Sequence, residues 1–215
     1  HSIENKEIFI EAGTGPAITL ISEQDLLNGG YILPVEVEVH TVKHYKTRKK
    51  RYHTLYETEI VEHWERNRKI IKAVKKYQDK QVIVLVKDIY HGSKIAEIIK
   101  APFIHGSTSP KERSQTLADF KDKKINVLIA SSILKQGVDL PEAEVLILAH
   151  GGSSTVELLQ KIGRVRRPAP GKTCGIVVDF YDQIQPKTDD DIFKAQAEKR
   201  LALYKARNFT VRHIV

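Results

Sequence analysis

The sequence predicts an α/β fold: a parallel sheet flanked by helices. Three observations carry this reading. From Val82 onward, short apolar runs alternate with longer stretches of helical apolar spacing. The runs are apolar at consecutive positions, as in Val82–Val86 and Val145–Leu148, which suits strands buried on both faces. Most connections between them are long and helical in pattern, so right-handed crossovers and parallel strands follow. With 215 residues, 29% charged and 41% hydrophobic, the chain can bury one sizeable core plus an appendage.

Residues 1–55 differ in character from residues 56–215. Glu7–Ile10 is apolar enough for a short strand. Ser22 is a good N-cap, acids follow in the first turn, and Gly29–Gly30 ends the helix after Asn28. Val35–His40 alternates with period two, which predicts a half-buried strand. Lys43, Lys46, Arg48, Lys49, Lys50 and Arg51 are interleaved with Tyr45 and Tyr52. That stretch suits a solvated loop or hairpin tip, or a patch that tracks phosphates. Glu57–Tyr77 predicts one long helix or two abutting ones, with Ile60, Val61, Trp64, Ile70, Ile71 and Val74 facing the core. Further strands are expected over 82–86, 103–104, 127–130, 145–148 and 174–180. Further helices are expected over 89–100, 110–120, 155–163 and 189–206.

The net charge of +8 and pI near 9.4 favour a polyanionic partner. A single cysteine, Cys174, excludes an internal disulfide, sits in an expected strand as a structural thiol, and fits a reducing compartment. The histidines show no zinc-binding spacing, so no metal site is expected. No apolar stretch approaches membrane-spanning length, and there is no signal-peptide pattern.

Chemistry concentrates in a few runs. Residues 160–167 read Q-x-x-G-R-x-x-R. Gln160 and Arg164 share a helix face, and Arg167 lies one turn on. An amide and two planar guanidiniums make a surface suited to polyphosphate oxygens. Gly163 would let another backbone approach. Alone, the run could equally be a basic helix end. Upstream, the strand 127–130 ends in Ser131 and Ser132, followed by Gly137, Asp139 and Pro141, at the sheet edge where α/β folds place ligands. Two decoys are set aside. Gly171-Lys172-Thr173 lacks the leading glycine and following helix of a phosphate loop, and Gly13-Thr14-Gly15 lacks the third glycine of a dinucleotide loop.

Together, residues 125–141 and 160–167 resemble motifs V and VI of the superfamily 2 nucleic-acid helicases. Residues 81–94 look like motif IV, and residues 104–120, with His105-Gly106 and Glu112-Arg113, look like the segment that follows it. The resemblance spans about residues 80–182. The wording of His91–Lys94, Leu148–Gly151 and Gln160–Arg164 is most similar to phage recombination and branch-migration helicases, then to DExH repair and transcription-factor helicases.

This resemblance implies the RecA-like second motor domain of a helicase, residues 56–215, with residues 1–55 as the tail of motor domain one and the interdomain link. It implies ATP with Mg2+ as cofactor, the ion held mainly by the first motor domain. Arg164 and Arg167 would reach the terminal phosphates, with Gln160 beside them. Asp139 and Gly137 would line the nucleotide ribose edge. Ser131 and Ser132, with Lys87 and the His91-Gly92 turn, would grip the nucleic-acid backbone. The implied partners are DNA, with RNA left open, and the first motor domain of the same protein; a monomer is expected, with no membrane. The implied location is the cytoplasm of a bacterial or phage-infected cell, or another reducing compartment. The chain has no Walker A loop and no D-E-x-[HD] run, so it should not hydrolyse ATP alone. A stand-alone, non-catalytic nucleic-acid-binding or regulatory module is the alternative, and an in-frame upstream Walker A sequence would decide against it.

Overall fold

The computed structural model describes residues 21–45, 51–131, 143–152, 154–185 and 191–214. The chain divides into two compact units, His1–Ile32 and Leu33–Val215. In the first, helix α1 (Glu23–Asn28) is capped as expected: the Ser22 hydroxyl accepts from the Asp25 amide, and the Asp25 carboxylate accepts from the Ser22 amide. The expected strand at Glu7–Ile10 and the Gly13–Gly15 turn lie outside the described residues.

The second unit contains β1 (Val35–Tyr45), α2 (Tyr52–Tyr56), a π-helical turn (Glu57–Val61) and α3 (Trp64–Lys76). It continues with β2 (Val82–Leu85), α4 (Ile89–Ile99), β3 (Phe103–Ile104), α5 (Pro110–Lys121), β4 (Val127–Ala130) and β5 (Val145–Leu148). It ends with α6 (Thr155–Val165), β6 (Gly175–Gln185), α7 (Ile192–Ala206) and β7 (Thr210–Ile214). Seven strands form one parallel sheet in the order β3-β4-β2-β5-β6-β1-β7.

Alternate residues of each strand feed two cores. Ile83, Leu85, Leu128, Leu146 and Leu148 pack with Phe120 of α5, Leu158 and Ile162 of α6, and Tyr204 of α7. Val82, Val84, Ile129, Val145 and Ile147 pack with Ile70 and Val74 of α3 and Ile95 of α4. Burial on both faces is the reason these strands read as unbroken apolar runs. No helix among the described residues is long and apolar enough to cross a membrane.

Two expectations change and one alternative is decided. β1 is hydrogen-bonded into this sheet, between β6 and β7, although the sequence grouped it with residues 1–55. It is buried on both faces: Glu38 is only 7% exposed and is paired with the Lys76 ammonium. The cover on the Glu38 face comes from the end of α3, while β7, whose polar sequence gives no strand alternation, flanks the edge of β1. Of the two readings of Glu57–Tyr77, two abutting helical segments are found: the π-helical turn ends at Val61 and α3 restarts at Trp64, capped by the His63 side chain. Trp64 does not pack in the core. It is 68% exposed, because the inward stripe of α3 is Arg66, Ile70, Ala73 and Val74.

Candidate functional site

A cavity of about 260 Å³ opens at the carboxyl ends of β2, β4 and β5. β2 contributes Leu85, Val86 and Lys87, β4 leads to Ser131, and β5 to His150, Gly151 and Gly152. Ser154, Glu157, Leu158 and Lys161 of the α6 region, Tyr52 and Tyr56 of α2, and Arg200 of α7 complete the wall. Three cations and two phenol rings therefore surround one opening, which suits a phosphate-bearing ligand.

The loop after β5 is held from four sides. Arg66 Nη1 donates to Ala149 O at 2.6 Å, and Tyr56 Oη donates to His150 O at 3.1 Å. Arg200 Nη1 donates to Gly152 O at 2.6 Å, and Lys161 Nζ donates to His150 Nε2 at 3.0 Å. Gly151 and Gly152 have φ of 66° and 101°, left-handed values that a side chain would strain. Burial, then the Lys161 charge, push the His150 imidazole down to about 3, so it accepts from lysine in its neutral form. Arg200 is itself fixed by Asp179 at 2.8 Å, which also accepts from the Tyr204 hydroxyl.

Behind this loop lies a buried ionic network. Asp182 Oδ1 accepts from Arg66 Nε at 3.0 Å and from His44 Nε2 at 3.0 Å. His44 Nδ1 donates to Glu59 Oε2 at 2.8 Å. The Arg66 guanidinium also lies 4.7 Å from the Phe180 ring centroid. Two cations and two carboxylates balance, which is how such charges are tolerated away from water. Ligand atoms of His44, Glu59 and His63 fall within 4.8 Å of one another, a donor set the sequence spacing did not show. Both ring nitrogens of His44 are engaged in the network, so an ion would have to displace its bond to Glu59 or to Asp182.

Burial alone would lower the pKa of His44, but hydrogen bonds and charges from Asp182 and Glu59 outweigh it and raise it to about 9. A raised folded-state value stabilises the fold fully below the ordinary histidine value of about 6.5, and that contribution is lost as pH rises through 9. Its full size is on the order of 3 kcal/mol. The melting temperature of the chain is therefore expected to fall between pH 6.5 and above 9, and His44→Gln should flatten that slope. A wild-type melting temperature constant across this window would contradict the protonated assignment.

The expected site residues fall into three groups. Lys87 and Ser131 both line the cavity; Lys87 is exposed, with its ammonium 5.5 Å from the Tyr56 ring centroid. His91 and Gly92 must be corrected. They sit inside α4 rather than in a loop. His91 is fully buried and hydrogen-bonded to Asn67 Oδ1 at 2.8 Å, and burial pushes its pKa down to about 3. A Cβ at Gly92 would run into the Phe103 ring, so this glycine serves helix packing. Ser132, Gly137 and Asp139 lie outside the described residues.

Gln160 and Arg164 lie on α6, with Arg167 just beyond it; Gln160 and Arg167 are exposed and Arg164 is half-buried. Burial lowers the pKa of Arg164. None of the three lines the cavity. A Cβ at Gly163 would meet nothing within 4 Å among the described residues, so no neighbour there requires the glycine. Arg166 packs the other way: its Nε donates to Leu33 O at 3.0 Å and its guanidinium lies 5.4 Å from the Phe209 ring centroid. Lys172 is buried, its ammonium donating to Ala143 O and Arg167 O, which agrees with a turn rather than a phosphate loop. His105 shapes its own turn by accepting from the Ser107 amide, and Arg113 donates to Thr108 O. Cys174 is half-buried just ahead of β6. Sequence reasoning missed Arg66, His44, Glu59 and Asp182 altogether, because only the tertiary fold brings them together.

Comparison with known proteins points to helicases. Residues 65–169 match the helicase conserved C-terminal domain. The chain is 28% identical over 209 residues to the general transcription and DNA repair factor IIH helicase/translocase subunit XPB of Danio rerio, covering 92% of this chain and 26% of that protein. It is 30% identical over 138 residues to the DNA 3'-5' helicase XPB of Kineococcus radiotolerans, covering 64% of this chain and 24% of that protein. Its fold is similar to the crystal structure of T4 UvsW, with a TM-score of 0.66 and 22% identity over 84% of this chain and 41% of that one. The chain spans about a quarter of the length of these two curated relatives. The chain thus carries a match to the helicase conserved C-terminal domain over residues 65–169, in a RecA-like fold.

Proposed function

We propose that this domain is the second motor half of an ATP-dependent DNA helicase or translocase. Residues ahead of Leu33 would lead in from the first motor domain, which would hold the P-loop, the catalytic base and the Mg2+ ligands. Arg164, Arg167 and Gln160 would complete the ATP site when the two halves close. A transition state whose charge is spread over phosphoryl oxygens is stabilised by guanidiniums brought across such an interface. Lys87 and Ser131 would hold the phosphate backbone of one strand, and cycles of closing and opening would shift that hold along it.

The observation that carries this reading is that α6 links two surfaces, since it starts at the cavity and runs from the carboxyl end of β5 toward the amino end of β6. The cavity collects Lys87, Lys161, Arg200 and Ser131, and the exposed side of α6 carries Gln160 beside Arg164. Two guanidiniums and an amide fit a triphosphate in charge and donor geometry. The cavity rim fits a single polyanionic strand.

The isolated 215-residue chain is expected to bind single-stranded DNA with affinity that falls steeply with salt and depends little on base sequence. It is expected not to hydrolyse ATP. A salt titration of strand binding, with a parallel phosphate-release assay, tests both. Strand-stimulated ATP turnover by the pure chain, or strong base preference without a salt slope, would refute the assignment.

A further inference from the structure

Three exposed aromatic rings stand around the carboxyl end of the sheet, each with a cation over its face. Tyr52, Trp64 and Tyr90 are 42%, 68% and 58% exposed. Lys87 Nζ lies 6.0 Å from the Tyr52 ring centroid, Arg68 Cζ 5.0 Å from Trp64, and Lys94 Nζ 5.3 Å from Tyr90.

The topology explains why they share one rim. α3 runs into β2 through a short turn, so its last residues abut the start of the strand. Its first residue, Trp64, is thereby carried to the strand's carboxyl end. α4 starts directly after β2, so Tyr90 begins at that same end. The hydrogen bond between Asn67 Oδ1 and His91 Nε2 ties the two first turns together at 2.8 Å. Trp64 and Tyr90 each lie within one helical turn of that contact. Tyr52 and Lys87 already line the cavity.

The fold itself has no use for Trp64 and Tyr90, whereas Tyr52 rests against the Tyr56 and Phe193 rings. The inward stripe of α3 is filled without Trp64, and that of α4 by His91, Gly92 and Ile95. An indole and a phenol left open to water, each beside a cation, match the pattern of single-strand binding surfaces. There, bases stack on rings while cations follow the backbone. Charge favours the same occupant, since the chain carries a net +8.

We infer that Trp64 and Tyr90, continued by Tyr52 at the cavity mouth, form a base-stacking track for a single nucleic-acid strand, with Arg68, Lys94 and Lys87 taking its phosphates. This rests on the proposed strand-gripping role of the cavity, and it adds contacts to the bases where that role needs only the backbone.

Trp64 is the only tryptophan of the chain, so its emission reports on this surface alone. The test uses the 215-residue chain and two probes at low salt: an oligothymidine of about 16 nucleotides and a base-free backbone of equal length. Affinity is read by anisotropy of a labelled probe, and stacking by Trp64 emission. Oligothymidine is expected to bind tighter than the base-free backbone and to quench Trp64. Trp64→Ala and Tyr90→Ala should each weaken oligothymidine binding at least about fivefold, with base-free binding unchanged, and Trp64→Phe should bind like wild type. Both positions are exposed, so a melting curve should show the variants folded. Equal binding of both probes, unchanged Trp64 emission and neutral alanine variants would overturn the track and leave the backbone grip intact. No binding of either probe would overturn both. Self-association of the chain that Trp64→Ala abolishes, with no quenching by oligothymidine, would assign the rings to a protein contact and also overturn the track.

Discussion

In a two-domain protein of the kind proposed, Arg164→Ala and Arg167→Ala are each expected to lower strand-stimulated ATP turnover by roughly 10³–10⁵, the range for enzymes that depend on an arginine brought across an interface. Strand affinity should change little, because neither residue lines the cavity that holds Lys87 and Ser131. Lysine at either position should restore only part of the rate, since an ammonium lacks the planar fork. The arginines occupy the end of α6 and the residues just after it, and Arg167 is exposed. Loss of fold therefore does not explain so large a drop, as surface substitutions usually cost under about 0.5 kcal/mol. Turnover at saturating strand, beside a binding titration and a melting curve, separates the two causes. Rates within a few-fold of wild type would remove both arginines from the ATP site.

Arg66→Ala should be the most destabilising single change in the domain, by about 3–5 kcal/mol. Arg66 is fully buried, and its loss leaves the buried Asp182 carboxylate with His44 alone, strands the Ala149 carbonyl and removes the cation from the Phe180 ring. Against a typical stability of about 5–15 kcal/mol this is a large share. The melting temperature should fall by roughly 6–20 °C. Arg66→Lys keeps the charge but cannot span Asp182 and Ala149 together, so it should fall between wild type and alanine. A melting temperature unchanged in Arg66→Ala would show that the network contributes nothing to stability. Because Arg66 holds the loop at the cavity wall, strand affinity should weaken with it even at temperatures where the variant is folded.

The contrast between these two sites reflects what one sequence can express. The strands were legible because burial on both faces of a parallel sheet leaves unbroken apolar runs, and Val82, Val127 and Val145 start strands where those runs start. Motif spacing likewise marked Lys87 and Ser131, which do meet at one cavity. Arg66 and Asp182 were invisible, since they are 116 residues apart, and His44 and Asp182 are 138 apart. A hydrophobic pattern treats a buried arginine as solvated surface. Trp64 and His91 were misread for the converse reason. Residue type put the tryptophan in the core and the histidine at the surface, whereas helix phase on α3 and α4 reverses both. β7 was missed because an edge strand beside β1 needs no apolar alternation of its own.

Arg166 provides the sharpest control for the central claim, that one edge of α6 and the residues after it complete an ATP site. It lies between the two candidate arginines in sequence, yet it is committed to Leu33 and Phe209 on the other side. The decisive measurement is ATP turnover per folded molecule, at saturating strand, for Arg164→Ala, Arg167→Ala and Arg166→Ala of the proposed two-domain protein side by side. The expected result is near-complete loss of turnover in the first two and, in the third, a rate close to wild type with a lowered melting temperature. Loss of turnover in Arg166→Ala, with Arg164→Ala and Arg167→Ala both turning over normally, would contradict the account.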